Sequence, residues 1–179
     1  GAVAVQPLPE WEEAPERPQP AQIVLSDADI TARLEQLTGA GSERREGQHH
    51  YARQAGQVFA PRRDRGQPHV VLAQAGTGVG KTLGYLAPAS LWAEQSSGTV
   101  WVSTFTKNLQ RQLRHESRRA WPATRADGTR PVVVRKGREN YLCLLNLEDA
   151  LQGGFSGRAA ILAQLVARWA AYSQDGDMI

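Results

Sequence analysis

The residues best suited to chemistry form a glycine-rich run at positions 75–82. The run fits the phosphate-binding loop pattern, with alanine in place of the usual first glycine and a Gly-Lys-Thr ending. Its glycines allow a tight turn that brings backbone N–H groups against phosphate oxygens. The predicted nucleotide-binding residues of the run are Ala75, Gly76, Thr77, Gly78, Val79, Gly80, Lys81 and Thr82. We assign catalytic roles to Lys81, which can reach the β- and γ-phosphates, and to Thr82, whose hydroxyl suits Mg²⁺.

The segments on either side of this loop are those that a phosphate site requires. Residues 70–73 are a short apolar run, which predicts a buried strand, and residues 83–94 predict a helix. The N-terminal dipole of that helix would then point at the phosphates. A dinucleotide-binding fingerprint is excluded, because its third glycine would fall at Lys81.

A second polar cluster follows the next predicted strand, residues 99–103. Thr104 and Thr106 come just after that strand, and Lys107 and Arg111 begin the predicted helix 107–119. Hydroxyl and basic side chains together suit contacts with a phosphate backbone. The residues alone favour another interpretation, in which the threonines cap the helix.

Charge is distributed unevenly along the chain, although its net value is only +3. Residues 1–37 include seven acidic and two basic residues, whereas residues 107–138 include ten basic and two acidic ones. The basic stretch favours a polyanionic partner, and a solvated basic surface is the alternative.

The single cysteine, Cys143, excludes an internal disulfide framework, and composition alone favours a buried thiol. No apolar run approaches the length of a membrane span, and no secretory signal is recognisable, so we expect a cytoplasmic protein. No apolar run ends in Asp-Glu, so the chain offers no second acidic Mg²⁺ site.

The order of predicted elements indicates an α/β fold. Residues 1–25 are rich in Pro, Glu and Gln and predict a linker or disordered lead-in. The predicted helices are 26–38, 48–59, 83–94, 107–119, 141–151 and 158–172, and the predicted strands are 70–73, 99–103 and 132–134. Strands that alternate with helices predict a parallel sheet with right-handed crossovers.

Four blocks, taken together, resemble the DinG-type DNA helicases, superfamily 2 enzymes related to the XPD helicases. Residues 45–48 resemble the adenine-reading segment, and residues 73–86 are similar to the first motif of the family. Residues 103–113 resemble motif Ia, and residues 136–143 resemble the segment with the first cysteine of an iron–sulfur cluster. The resemblance covers about residues 44–143.

This resemblance implies a RecA-like P-loop NTPase that uses ATP and Mg²⁺ on single-stranded or forked DNA, with a role in DNA repair. It implies that Arg45 and Gln48 bind the nucleotide and that Cys143 is the first ligand of a [4Fe–4S] cluster in a longer parent. The DNA contacts that it implies are Thr104, Thr106, Lys107 and Arg111.

The implied domains are a partial first motor domain at 26–138 and the start of a helical iron–sulfur domain at 139–179. The Asp-Glu box, three further cysteines and a second motor domain have no counterpart in this chain. They are expected beyond Ile179, so we expect the chain to be a fragment that does not itself hydrolyse ATP.

Two other functions stay open at this point. One is a P-loop small-molecule kinase, and the other is a non-enzymatic nucleic-acid-binding domain that retains its ATP loop as a relic. ATP turnover stimulated by DNA separates a helicase from both. The oligomeric state is open, with a monomer favoured.

Overall fold

A computed structural model of the protein describes residues 18–62, 64, 66–121, 131–173 and 175–178. Most of the predicted lead-in lies outside these residues, as does the segment 122–130 that precedes the predicted strand 132–134. The chain divides into two compact units, Glu16–Val134 and Arg135–Ile179, which are described separately below.

The first helix of the Glu16–Val134 unit, α1, spans Asp27–Thr38. It begins where the sequence predicts, because the Ser26 hydroxyl accepts a hydrogen bond from the backbone N–H of Asp29 at 3.1 Å. Ile30, Leu34 and Leu37 recur at helical spacing and are buried. This apolar stripe is the part of α1 that faces the core.

Helices α2, Glu46–Gly56, and α3, Lys81–Ser96, pack against α1 and complete that core. A 3₁₀ turn, Gln57–Phe59, extends α2. Glycine permits the close helix packing. A Cβ on Gly56 would lie 2.4 Å from Ile30 Cδ1, and one on Gly84 would lie 2.7 Å from Tyr51 Cδ1. The helical core thus holds α3, and with it the end of the phosphate loop, in a fixed position.

Helix α4, Lys107–Ala120, lies against α3. Leu113 and Ala120 pack on the core and Ser117 is buried, whereas most other residues of the helix are exposed. The sequence prediction of a helix at 107–119 that begins with Lys107 and Arg111 is confirmed.

The predicted parallel sheet is not confirmed. Residues 70–73, 99–103 and 132–134 are described, but the paired hydrogen bonds of a β-ladder are absent from them and from all other described residues except one isolated bridge. Their apolar side chains are largely exposed: Val70 is 74%, Leu72 is 96% and Trp101 is 82% exposed. A strand is stabilised by a hydrogen-bonded neighbouring strand and by a covered face, and among the described residues no ladder joins these segments to one another.

The Arg135–Ile179 unit contains a 3₁₀ turn, Arg138–Asn140, and then α5, Leu144–Asp149, which runs into a π-helical turn, Ala150–Gly154. Helix α6, Arg158–Ala170, follows. The apolar side chains of α6 pack only in part: Ile161 is 60% and Leu165 is 56% exposed.

The ends of this second unit are joined by a polar network. Lys136 Nζ contacts the Asp177 carboxylate oxygens at 2.7 and 2.5 Å, and both side chains are largely buried. Leu142 N–H donates to Gly176 O at 2.9 Å, and Met178 N–H donates to Asn140 O at 3.0 Å. The polar character of residues 136–140 is therefore explained by bonds within this unit. None of the helices in the described residues is both long enough and apolar enough to cross a membrane.

Candidate nucleotide site and basic helix

The phosphate loop turns through two glycines in the left-handed region of backbone conformation. Gly78 has φ +81° and Gly80 has φ +84°, and Gly80 is the N-cap of α3. Residues with a Cβ rarely adopt this conformation, so glycine is required at both positions. Gly76 has no left-handed φ, and a Cβ there would meet no atom within 4 Å. The two loop positions that require glycine, 78 and 80, are therefore those nearest the start of α3.

The Lys81 ammonium lies across the loop. Its Nζ donates to the carbonyl oxygens of Ala75 at 3.0 Å and Gly76 at 2.7 Å. The charge therefore lies beside the loop backbone, and Lys81 itself is the first residue of the 16-residue helix α3. A positive side chain and a positive helix dipole at one point favour an anion there.

The start of α2 is fastened to the same loop. Gln48 Nε2 donates to Gly80 O at 2.9 Å, and Arg45 Nη1 donates to Gly78 O at 3.0 Å. Gln48 is buried, and Arg45 is exposed. The structure thus brings these two residues to the predicted loop from more than 30 positions away. The residues alone gave no reason for this, and only the family resemblance indicated it.

Ion pairs hold the residues that lead into α2. Arg44 Nε lies 2.8 Å from Glu46 Oε1, and Arg44 Nη1 lies 3.2 Å from Glu35 Oε1. The hydrogen bond from Arg44 is the main cause that lowers the pKa of Glu46, and the same bond raises the pKa of Arg44. Both side chains face solvent, so this cluster orients the start of the helix at little gain in stability.

Tyr85 is a site neighbour that the sequence analysis missed. Burial raises the pKa of its phenol, and a hydrogen bond with the Thr82 side chain acts in the opposite direction. The pair lies on one helix face, since Tyr85 follows Thr82 by three residues. This three-residue spacing was the sequence feature that could have identified Tyr85 as a neighbour of Thr82. Tyr85 is thus a neighbour of the hydroxyl that the sequence assigns to Mg²⁺.

The two threonines at the start of α4 have local partners. Thr106 Oγ1 accepts a hydrogen bond from Leu109 N–H at 3.2 Å, so Thr106 is the N-cap of α4. Thr104 Oγ1 donates to Thr106 O at 3.4 Å. Helix capping, the interpretation that the residues alone favoured, therefore describes Thr106. Contact of either threonine with DNA stays a prediction.

Four basic side chains form a stripe along α4, and we call them the basic stripe. They recur at spacings of four, three and four residues, which places them on one face. Its members are Lys107, Arg111, Arg114 and Arg118, all of them exposed. Within the described part of the chain none of these four is ion-paired with an acidic residue, whereas Arg119 pairs with Glu116. Among the described residues, the stripe is thus positive charge that no acidic side chain neutralises.

Cys143 is exposed, which corrects the expectation of a buried thiol. It lines an open, largely apolar groove of about 980 Å³ together with Leu147, Leu162 and Val166. No group of three or more His, Cys, Asp or Glu side chains suited to a metal ion occurs among the described residues. A [4Fe–4S] cluster needs four ligands, usually thiolates, and this chain has one cysteine, so the residues present do not fit the cluster.

Curated proteins similar to this chain are DNA-processing enzymes. The chain is 38% identical over 111 residues to the ATP-dependent DNA helicase YoaA of Haemophilus influenzae, which is 60% of this chain and 16% of that protein. It is 40% identical over 118 residues to the ATP-dependent helicase DinG of Mycobacterium tuberculosis, 64% of this chain and 17% of that protein. It is 34% identical over 142 residues to the 3'-5' exonuclease DinG of Bacillus subtilis, 77% of this chain and 14% of that protein.

These similarities confirm the resemblance to the DinG-type helicases, and through it the P-loop NTPase class. The matched part is only 14–17% of the length of these relatives. No protein-family model matches the chain, and no solved structure matches it significantly.

Proposed function

We infer that this chain is part of a DinG-type ATP-dependent DNA helicase and contributes its ATP-binding loop. Two of the relatives described above are named as ATP-dependent helicases. The third is named as an exonuclease, so the relatives' names do not agree on a single activity. The helicase assignment is favoured because the residues of this chain build a nucleotide loop beside a basic helix.

The observation that carries nucleotide binding is the geometry of the loop itself. Two left-handed glycines, Gly78 and Gly80, precede the N-terminus of α3, and the Lys81 ammonium bonds the loop carbonyls. On binding Mg-ATP, Lys81 would exchange these carbonyl oxygens for β- and γ-phosphate oxygens. Thr82, a neighbour of Tyr85, would supply a hydroxyl ligand to Mg²⁺, which neutralises phosphate charge.

Arg45 and Gln48 would bind the nucleotide from the α2 side. Both donate to carbonyl groups of the loop, so a base bound next to α2 would adjoin the same backbone that holds the phosphates. Gln48 has a carbonyl oxygen and a second N–H with which to pair with adenine.

Calorimetry on the 179-residue chain tests the nucleotide site directly. We expect Lys81→Ala to weaken Mg-ATP binding at least tenfold, because the variant loses the charge nearest the loop. Lys107→Ala removes an equal charge from the start of α4 and is the matched control. Equal affinity of the wild type and Lys81→Ala for Mg-ATP would contradict the proposal.

The DNA-binding part of the proposal depends on the basic stripe. Its four exposed positive charges, with Thr104 and Thr106 at the start of α4, would contact the backbone of single-stranded or forked DNA. Residues 26–138 would then form part of a RecA-like motor domain whose parallel sheet is completed with further strands. ATP hydrolysis stimulated by DNA in a longer parent tests this, because a small-molecule kinase would require its own acceptor and a relic loop would show no turnover.

For Cys143 we keep the proposal of a first cluster ligand in a parent that supplies three more cysteines, with residues 139–179 as the start of that domain. Iron content of such a parent, wild type against Cys143→Ser, is the test. A role in DNA repair, a cytoplasmic location and a monomeric state complete the proposal and stay predictions.

A further inference from the structure

We propose that Phe105 is a stacking platform for a base of single-stranded DNA at the start of the basic stripe. This proposal rests on the DNA-binding part of the proposed function and narrows its substrate to a strand with unpaired bases. Phe105 is not among the DNA contacts that the sequence blocks indicate, and it lies between two that are, Thr104 and Thr106.

The first observation is the exposure of the ring. Phe105 is 99% exposed, so its side chain contributes nothing to the core of the described residues. A single exposed apolar residue needs no explanation by itself. What separates Phe105 from other exposed residues is that it comes directly before the N-cap of α4.

The second observation is the charge that follows the ring. Lys107 begins the helix two residues later, and Arg111, Arg114 and Arg118 continue the stripe for about 16 Å along the helix axis. An exposed aromatic residue that directly precedes a line of exposed cations in the chain has the composition of a surface for single strands. Cations track the phosphates, and the ring accepts the face of a base.

The chemistry of stacking selects the kind of strand. Bases in a duplex present only their edges, in the grooves, and their faces are covered by neighbouring bases. A ring such as that of Phe105 therefore gains a partner only where bases are unpaired. Stacking is also tolerant of sequence, since every base has a π-face.

Two labelled oligonucleotides of equal length test the proposal by fluorescence anisotropy on the 179-residue chain. One is oligodeoxythymidylate, and the other has the same backbone with abasic residues. We expect the wild type to bind the base-bearing strand about 5- to 150-fold more tightly, the range that one base–aromatic stack supplies. Phe105→Ala should abolish this preference, and Phe105→Tyr should retain it.

Two controls separate stacking from charge and from general apolar contact. Arg111→Ala should weaken binding of both strands by the same factor and lower the salt dependence of each. Trp101→Ala removes another exposed aromatic residue, 82% exposed, and should leave the preference unchanged. Phe105→Ala should unfold at the same temperature as the wild type, because its side chain is outside the core.

The contrary outcomes are distinct from one another. Salt-dependent binding with no preference for bases in the wild type would overturn the role of Phe105 and leave the DNA-binding function standing. No binding of either strand would overturn both. A preference that is lost equally in Phe105→Ala and Trp101→Ala would indicate a general apolar surface and overturn the specific platform. Reduced self-association of Phe105→Ala in sedimentation, with DNA binding unchanged, would assign the ring to a protein contact.

Discussion

Alanine substitution at the three loop glycines should cost stability in a graded order that the structure sets. At Gly76 a Cβ meets no atom within 4 Å and φ is not left-handed; at Gly78 only φ, +81°, opposes a side chain. At Gly80 both obstacles are present, since φ is +84° and a Cβ would lie 2.3 Å from Gln48 Nε2. The series therefore separates backbone strain from loss of the Gln48 contact.

The expected magnitudes follow from these two effects. Gly76→Ala should change the free energy of unfolding by no more than about 0.5 kcal/mol. Gly78→Ala should cost about 1–2 kcal/mol for a left-handed residue with a Cβ. Gly80→Ala should cost about 2–3 kcal/mol, because the Gln48 side chain must also move off the Gly80 carbonyl and lose a hydrogen bond of about 1 kcal/mol.

Urea unfolding followed by far-ultraviolet circular dichroism measures all three variants. The decisive comparison repeats Gly80→Ala in a Gln48→Ala background, where no amide obstructs the new methyl group. We expect the cost of Gly80→Ala to fall there to that of Gly78→Ala, a coupling of about 1 kcal/mol. An equal cost in both backgrounds would refute the idea that Gln48 and Gly80 support each other.

Three further predictions concern other parts of the chain. Asp177→Asn should destabilise the second unit by about 3 kcal/mol in urea unfolding, since it removes the negative charge that contacts the largely buried Lys136 ammonium; a change under about 0.5 kcal/mol would contradict this. Burial raises the pKa of Tyr85, so in an alkaline titration its phenol should ionise above the ordinary pKa of a tyrosine. The stability due to Tyr85 is then present below the unfolded pKa and is lost as pH rises through the folded pKa, and Tyr85→Phe should flatten that decline. Cys143 should react with one equivalent of a thiol reagent in the folded chain, which should contain no iron; slow reaction would show a protected thiol.

The helices were predictable because their signals are local. Ser26 and Thr106 sit at the starts of α1 and α4 and bond backbone N–H groups three residues on, and the apolar spacing from Ile30 to Leu37 marks a face. Such signals can be interpreted correctly from the neighbouring residues alone. The phosphate loop was predictable for the same reason, since its glycines and Lys81 are close together in the sequence.

The strands and the supporting contacts of the site were not predictable in this way. An apolar run such as residues 70–73 indicates that a strand would be buried, but pairing depends on distant segments, and Val70 and Leu72 are exposed here. Gln48 and Gly80 are 32 residues apart in the sequence. A polar residue in the first turn of a helix does not by itself indicate which distant residue it will contact. Only the family resemblance pointed to Gln48.

Residues 140–142 and 176–178 lie side by side, so the polypeptide enters and leaves the α5–α6 region at one place. A segment with adjoining ends can be added to a chain, or removed from it, without changing the distance between its flanks. Among the described residues, the ends of the segment 143–175 are held together by the Leu142–Gly176 and Met178–Asn140 backbone hydrogen bonds and by the Lys136–Asp177 ion pair. A two-residue Asn-Gly turn in place of residues 143–175 would join the same antiparallel segments as a hairpin. Circular dichroism of that shortened chain should lose the signal of α5 and α6 and keep that of α1 to α4.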